Sequence, residues 1–389
     1  MTWFLDYNAG APRDPRVRAY MESLPLEAEV NPSSPHTQGR KARAFLEEAR
    51  ERIADVLGVA ASEILFCSGG TEANNIAALT GFEHAKRHAQ RVAVSPIEHP
   101  SLAVPLARLL AGENDAMSLH LEIDAGGRAV VRDQEVDLGF FSLTHAQQET
   151  GVLQQPSRFA TWARKSGALL HSDASQSLGR VSVSDVVPGF DMVTFSPQKC
   201  GGPKGIGVLY IRTGCEIQPV LEGGAQEMGR RPGTQGAALA LGAARAMELA
   251  AAEQESRARS MSAAVTAFTD GLLARSDCRI LFADSARLPN TICVDASPVE
   301  ARLLLPALDL AGLYVSFGSA CSSGSFEASA ALLASGVARE RANCCLRISV
   351  GPETGSAEMQ VAATRFCETL SRIRQNAVGV SFDSHSDGG

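Results

Sequence analysis

Short apolar runs alternating with amphipathic stretches constrain this chain more than any other feature. The runs 91–96 (RVAVSP), 138–143 (LGFFSL), 168–173 (ALLHSD), 192–197 (MVTFSP) and 206–211 (IGVLYI) read as buried strands. Helical patterns occupy 40–57, 72–87, 101–111, 158–166 and 235–253. Strands alternating with helices predict an α/β fold with a mainly parallel sheet and ligand sites at the strand ends. The chain has 389 residues, 45% of them apolar, enough for a large core and more than one domain. Its 35 glycines suit many tight strand–helix turns.

Beyond about residue 255 the pattern changes. A helix (258–275) precedes a strand (290–295), a helix (299–311), two strand-like runs (313–318 and 345–350) and a last helix (356–375). The expected division is a large α/β domain over 16–255 and a smaller α+β domain made of 1–15 and 256–378. The tail 379–389, rich in Ser, Asp and Gly, is expected to be disordered.

Several classes are disfavoured. The formal charge is −7 and no Lys/Arg block occurs, so neither nucleic acid nor an anionic membrane has an electrostatic footprint. No apolar run reaches bilayer length, and MTWFLDYNAG lacks the parts of a secretory signal. A cytoplasmic protein is expected. Nine cysteines in a chain of this length do not make a disulfide scaffold, no C-x-x-C pair occurs, and no resident metal site is expected.

Two strand ends carry chemistry. Residues 192–205 (MVTFSPQKCGGPKG) deliver Ser196, Gln198 and Lys199 past a strand that ends at Phe195. A lysine there can form a Schiff base if its amine is desolvated or close to positive charge; a surface lysine in a turn fits the segment as well. Residues 168–180 (ALLHSDASQSLGR) end a strand in Asp173, a carboxylate suited to a metal, to a base role or to a cationic ring nitrogen. His171 lies on the same side of that strand and reads as packing. A third segment, FCSGGTEANN (66–75), ends a strand in two glycines, then opens a helix at Thr71 with Glu72 in its first turn. Free N–H groups, a hydroxyl and the helix dipole make this a phosphate cradle, although Thr71 can equally be a simple N-cap. His99 in SPIEHPS follows another strand end and is placed to stack on a ring, or only to pack.

Together these segments resemble a known family. LDYNAGAP (5–12), NPSSPHTQGRKA (31–42), SGGTEANN (68–75), IEHPS (97–101), HAQQETGVLQ (145–154), HSDASQSLG (171–179), FSPQKCGGPKGIG (195–207), RRPGT (230–234), SFGSACSSGS (316–325) and LRISVG (346–351) are similar, in order, to the NifS/IscS-like cysteine desulfurases. These belong to the class V aminotransferase group of fold-type-I enzymes dependent on pyridoxal 5'-phosphate (PLP), and the resemblance implies a mainly parallel sheet of the seven-stranded type in the large domain. The resemblance implies that Lys199 is the Schiff-base lysine, Asp173 the partner of the pyridine nitrogen and Gln176 a contact of the ring hydroxyl. It assigns Gly70, Thr71 and Ser196 to the phosphate, and His99 to ring stacking and proton transfer. It makes Thr234 a phosphate contact supplied by the other subunit of a homodimer. Arg347 would bind the substrate carboxylate, and Cys321 would receive sulfur from L-cysteine.

The implied products are L-alanine and a Cys321 persulfide, passed to an unidentified acceptor protein in iron–sulfur cluster assembly or tRNA thiolation. Any contact of Cys321 with an iron–sulfur cluster would be transient. GSACSSGSFEAS reads as a mobile loop, whereas Cys67, Cys293 and Cys345 read as buried and inert. Two positions depart from the family pattern: Gln198 stands where His is usual, and Gln148 where Asn is usual. Both remain expected cofactor contacts, with Gln148 also near the substrate. The competing readings are a selenocysteine lyase, another class V aminotransferase, and a degenerate PLP-binding subunit without turnover.

Overall fold

The computed structural model of the chain describes residues 1–130, 136–184, 186–318 and 327–379. β1 (Trp3–Phe4) opens the chain. β2 (Ile64–Cys67), β3 (Arg91–Val94) and β4 (Ser118–His120) follow, then a small hairpin of β5 (Glu122–Ile123) and β6 (Ala129–Val130), then β7 (Leu138–Ser142), β8 (Leu169–Asp173), β9 (Met192–Phe195) and β10 (Gly207–Ile211). Seven of these form the main sheet in the order β2-β10-β9-β8-β7-β3-β4. Its pairings are parallel from β9 to β4, and β10 alone runs against both neighbours. The carboxyl ends of β2, β3, β7, β8 and β9 therefore meet at one edge, where open α/β sheets bind ligands.

The apolar runs lack alternation because both faces are covered. Ile64 and Phe66 of β2 enter one core, Leu65 and Cys67 the other. The first core takes α1 (Pro15–Glu22), α2 (Thr37–Leu57), α5 (Pro156–Arg164) and α6 (Ala237–Ala252), and the second takes α3 (Gly70–Arg87) and α4 (Pro100–Leu110). In α2 the buried positions Ala42, Leu46, Ala49, Ile53 and Leu57 recur at helical spacing. Gly58, left-handed at φ 69°, ends that helix.

Most of the remaining elements gather around a third core. α7 (Gln254–Leu273) leads to an antiparallel sheet of β11 (Arg279–Leu281), β12 (Thr291–Asp295) and β14 (Cys345–Ser349). α8 (Ala301–Leu310), β13 (Leu313–Tyr314), α9 (Ala330–Ala334), α10 (Arg339–Ala342) and α11 (Ser356–Gly379) complete the chain. Trp3 and Leu5 are buried in this core with Phe268, Ile292, Leu346 and Phe366.

Three expectations need correction. The run 313–318 is not one strand: β13 covers Leu313–Tyr314 and pairs with β1, and Ser316 then bridges to Arg347. The cause is the N-terminal segment, because Leu5 donates to the Tyr314 carbonyl at 2.9 Å and accepts from Ser349 N–H at 2.9 Å. It thereby separates residues 313–314 from β14. The phosphate-cradle helix begins at Gly70 with Gly69 as its N-cap, so Thr71 is one residue inside the first turn rather than its cap. The last helix extends through Gly379, so the expected tail lies almost wholly outside the described residues. Among the described residues no helix is long and apolar enough to cross a membrane.

Candidate active site

One cavity at the carboxyl edge of the main sheet is lined by Asn8, Gly70, Thr71, Asn74, His99, Ser101, Gln148, Asp173, Ser175, Gln176, Ser196, Gln198, Lys199 and Arg347. Every site residue expected from the sequence is there except Thr234 and Cys321. Thr234 is exposed and outside the cavity of its own chain. Cys321 lies outside the described residues.

Lys199 sits in the short 3-10 turn Pro197–Cys200 that follows β9. Gly201 at φ 93° closes the turn, and a Cβ at Gly202 would lie 2.8 Å from the Pro197 carbonyl oxygen. Both positions therefore favour glycine. Lys199 Nζ donates to the Asn8 and Ala9 carbonyls at 2.6 and 2.7 Å. Gln176 Nε2 donates to the same Asn8 carbonyl at 3.0 Å, while its Oε1 accepts from Arg180. Arg180 also donates to the Lys199 carbonyl at 3.2 Å. Burial lowers the Arg180 guanidinium to about 10, and the positive charge of Arg347 acts in the same direction.

Asp173 ends β8. Its Oδ2 accepts from Asn74 Nδ2 at 2.8 Å and its Oδ1 from Ser175 N–H at 2.9 Å. His171, two residues earlier, is fully buried between Ser142 Oγ at 2.8 Å and Thr194 Oγ1 at 3.0 Å, which makes it a packing residue. His99 is the N-cap of α4, ahead of Pro100 at the first helical position. Burial pulls its imidazole below the ordinary value. Its neighbour Glu98 accepts from Thr144 N–H at 2.7 Å and is pushed up to about 8 by burial and by the charge of Asp173.

Gly70 brings the α3 terminus against the lysine strand. A Cβ there would meet Ser175 Oγ at 3.2 Å and Ser196 Cβ at 3.4 Å. Three hydroxyls, those of Thr71, Ser175 and Ser196, thus line the cavity with the positive end of a helix. Arg347 of β14 is 2% exposed; it donates to Asp6 Oδ1 at 2.6 Å and to the Gln148 carbonyl at 3.1 Å. Its Nε has no partner among the described residues. Such a buried guanidinium N–H suits a carboxylate.

Sequence reasoning assigned no roles to Asn8, Asn74, Ser101, Ser175, Asp6 or Arg180. The first five lie inside quoted motifs and Arg180 directly follows one. Only their partners in the fold show what they do, and for Asn8, Asp6 and Asn74 these include residues far away in sequence.

A mainly parallel α/β sheet with a lysine and a carboxylate at adjacent strand ends, facing a glycine-opened helix, defines the class. The class V aminotransferase family model matches residues 3–361, and the chain belongs to that family. Within it, the similarity is to cysteine desulfurases. One from Bradyrhizobium diazoefficiens is 34% identical over 96% of each chain, and the cysteine desulfurase IscS of Dictyoglomus turgidum is 35% identical over 95% of each. A solved NifS-like protein superposes with a TM-score of 0.86 at 31% identity, covering 96% of this chain and all of that one. SspA, solved in complex with cysteine, gives a TM-score of 0.75 at 27% identity over 90% of this chain and 99% of its own.

Proposed function

We propose that this chain is a PLP-dependent cysteine desulfurase that converts L-cysteine to L-alanine and leaves the sulfur as a persulfide on Cys321. The observation that carries the reading is the convergence of Lys199, Asp173, Gln176, His99 and Arg347 on one cavity, beside the cradle of Gly70, Thr71 and Ser196.

The donor set fits the cofactor. Hydroxyls and a helix terminus suit a phosphate, the Asp173 carboxylate suits a protonated ring nitrogen, and Gln176 suits a ring hydroxyl. Gln198 also lines the cavity, and its amide could donate a hydrogen bond to a phosphate but could not carry charge. What PLP supplies there is an electron sink for the pair left when the substrate α-proton departs.

The chain's own residues do the rest. The Asn8 and Ala9 carbonyls hold the Lys199 amine, which carries the cofactor and then exchanges protons. His99 is the second group placed for proton transfer. Arg347, already oriented by Asp6 and the Gln148 carbonyl, keeps its Nε for the substrate carboxylate. The Cys321 thiolate attacks the substrate sulfur. The S–S bond forms, the C–S bond breaks, its electron pair stays on the β-carbon, and protonation there gives alanine.

The same reading makes the protein a cytoplasmic homodimer in which Thr234 contacts the phosphate of the other subunit's site. Its exposure and the anchoring of its loop support this: Arg231 pairs with Glu72 at 2.7 Å, and Glu227 with Arg50 at 2.7 Å. The smaller domain is residues 1–15 with 256–378, supported by the joint burial of Trp3 and Leu5 with Phe268 and Phe366. The sulfur then passes to an acceptor protein in iron–sulfur cluster assembly or tRNA thiolation.

Two variants test the reading. Cys321→Ser is expected to keep the yellow absorbance of bound PLP and to lose sulfide release from L-cysteine with a thiol reductant; normal turnover would overturn the role of Cys321. Lys199→Ala is expected to lose the absorbance of the lysine-bound cofactor, and an unchanged spectrum would overturn the role of Lys199.

A further inference from the structure

A continuous hydrogen-bonded chain joins His99 to Asp173 through two residues that the proposed chemistry does not use. Ser101 N–H donates to His99 Nδ1 at 3.1 Å, and Ser101 Oγ lies 2.7 Å from the same nitrogen. Asn74 Nδ2 donates to Ser101 Oγ at 2.8 Å and to Asp173 Oδ2 at 2.8 Å. Asn74 and Ser101 are both buried.

The donor directions can be read from the fixed groups. Asp173 as a carboxylate only accepts, so the Asn74 amide nitrogen faces it, and the same nitrogen donates to the serine oxygen. A backbone N–H only donates, so Nδ1 of His99 is an acceptor. The serine hydroxyl, already accepting from Asn74, points its own hydrogen at that Nδ1. Two donors on Nδ1 leave the ring proton on Nε2. Protonating Nδ1 would break the cap of α4 and set a cation at the positive end of that helix.

We propose that Ser101 and Asn74 are positioning residues that hold His99 as a neutral imidazole protonated on Nε2 and fix it relative to Asp173. Proton exchange with substrate then runs through Nε2 alone, while Nδ1 serves the fold. The inference rests on the reading of this cavity as a desulfurase site. The charged groups acting on His99 are Asp173, which favours its protonated form, and Lys199 and Arg347, which oppose it. Glu98 adjoins it in the chain.

The test is nitrogen NMR of the histidine-labelled holoenzyme, whose eight histidines are sorted by the loss of one ring in His99→Gln. His99 is expected as the Nε2–H tautomer, and that bias is expected to weaken in Ser101→Ala, where only the backbone N–H of residue 101 still donates to Nδ1. Alanine production from L-cysteine is expected to fall in kcat by roughly 10- to 100-fold in Ser101→Ala, no more than the lower end of the roughly 10²- to 10⁴-fold that positioned acid–base catalysis contributes, with KM little changed. Losing a donor to the neutral ring also raises the His99 pKa, so the acidic limb of the kcat profile moves to higher pH. Ser101→Thr, which keeps the hydroxyl, is expected to restore tautomer, rate and limb together. Asn74→Ala, which removes the donor that orients the Ser101 hydroxyl, is expected to move tautomer and limb the same way by less, and serves if Ser101→Ala does not fold. An Nδ1–H tautomer in the unaltered enzyme overturns the proposal, as does an unmoved tautomer and limb in both variants. Absence of alanine from the unaltered holoenzyme would instead overturn the desulfurase reading, and the tautomer would still be read.

Discussion

Glu98 is held by one oxygen only. Thr144 N–H binds Oε1 at 2.7 Å, and Oε2 is buried without a partner among the described residues. The folded state keeps this carboxyl protonated up to about 8, against an ordinary value of 4.5. A raised folded value means that its contribution to stability is complete below 4.5 and is lost as pH rises through about 8. Glu98→Gln, neutral throughout, is expected to flatten that decline, so its advantage over the unaltered protein grows with pH. Urea midpoints on both sides of the window measure it; an advantage independent of pH would contradict it. At this scale the sequence is partly legible. Lys199 and Asp173 are visible because an apolar run marks where a strand ends. Asn74 and Ser101 are not, because their meaning lies in the contacts of Asn74 with Ser101 and with Asp173, which no local period encodes.

Helix α3 lies tightly on the sheet. A Cβ at Gly81 would come within 2.1 Å of the Phe140 ring, and one at Gly139 within 2.5 Å of Ala85 Cα. The glycines let helix and strand approach and so set the depth at which Gly70 and Thr71 reach the site. Gly81→Ala is expected to cost about 1–3 kcal/mol by overpacking. Gly58→Ala has open space around it and only the strain of φ 69°, and is expected to cost about 1 kcal/mol. Denaturant midpoints compare the two, and equal costs would contradict the close-approach account. Most elements of this size are legible, because buried strands and amphipathic helices differ in period. The run 313–318 was misread as one strand because two different partners divide it, and β1 escaped notice because two residues carry no period.

On the scale of the whole molecule, Thr234 is, among the described residues, the expected site residue that one chain does not bring to its own cavity. Its loop is rooted by Glu227, which accepts from Arg50, from Phe66 N–H at 3.1 Å and from Gln235 at 3.2 Å, although Glu227 and Met228 both adopt positive φ. Losing one partner of such a buried pair costs about 3–5 kcal/mol, so the strained turn persists. If Thr234 serves the other subunit, Lys199→Ala and Thr234→Ala chains refolded together regain activity that neither has alone, since one site of each mixed dimer carries both lesions and the other none. No recovery on mixing would place Thr234 outside the partner's site. The reversed direction of β10 was not legible, because strand order and direction are set by long-range pairing that an apolar run does not reveal.

The N-terminal strip has a consequence for how such a chain can vary. Leu5 pairs with residues 314 and 349, Asp6 grips Arg347, and the Asn8 and Ala9 carbonyls hold Lys199. The strip acts as a ruler between the two ends of the substrate site. Ala9 contributes a backbone carbonyl, which every residue carries, so exchange of its side chain leaves that contact intact. Adding or losing one residue between Asp6 and Asn8 would move the grip on the arginine relative to the grip on the lysine, so the spacing of this strip matters as much as its side chains.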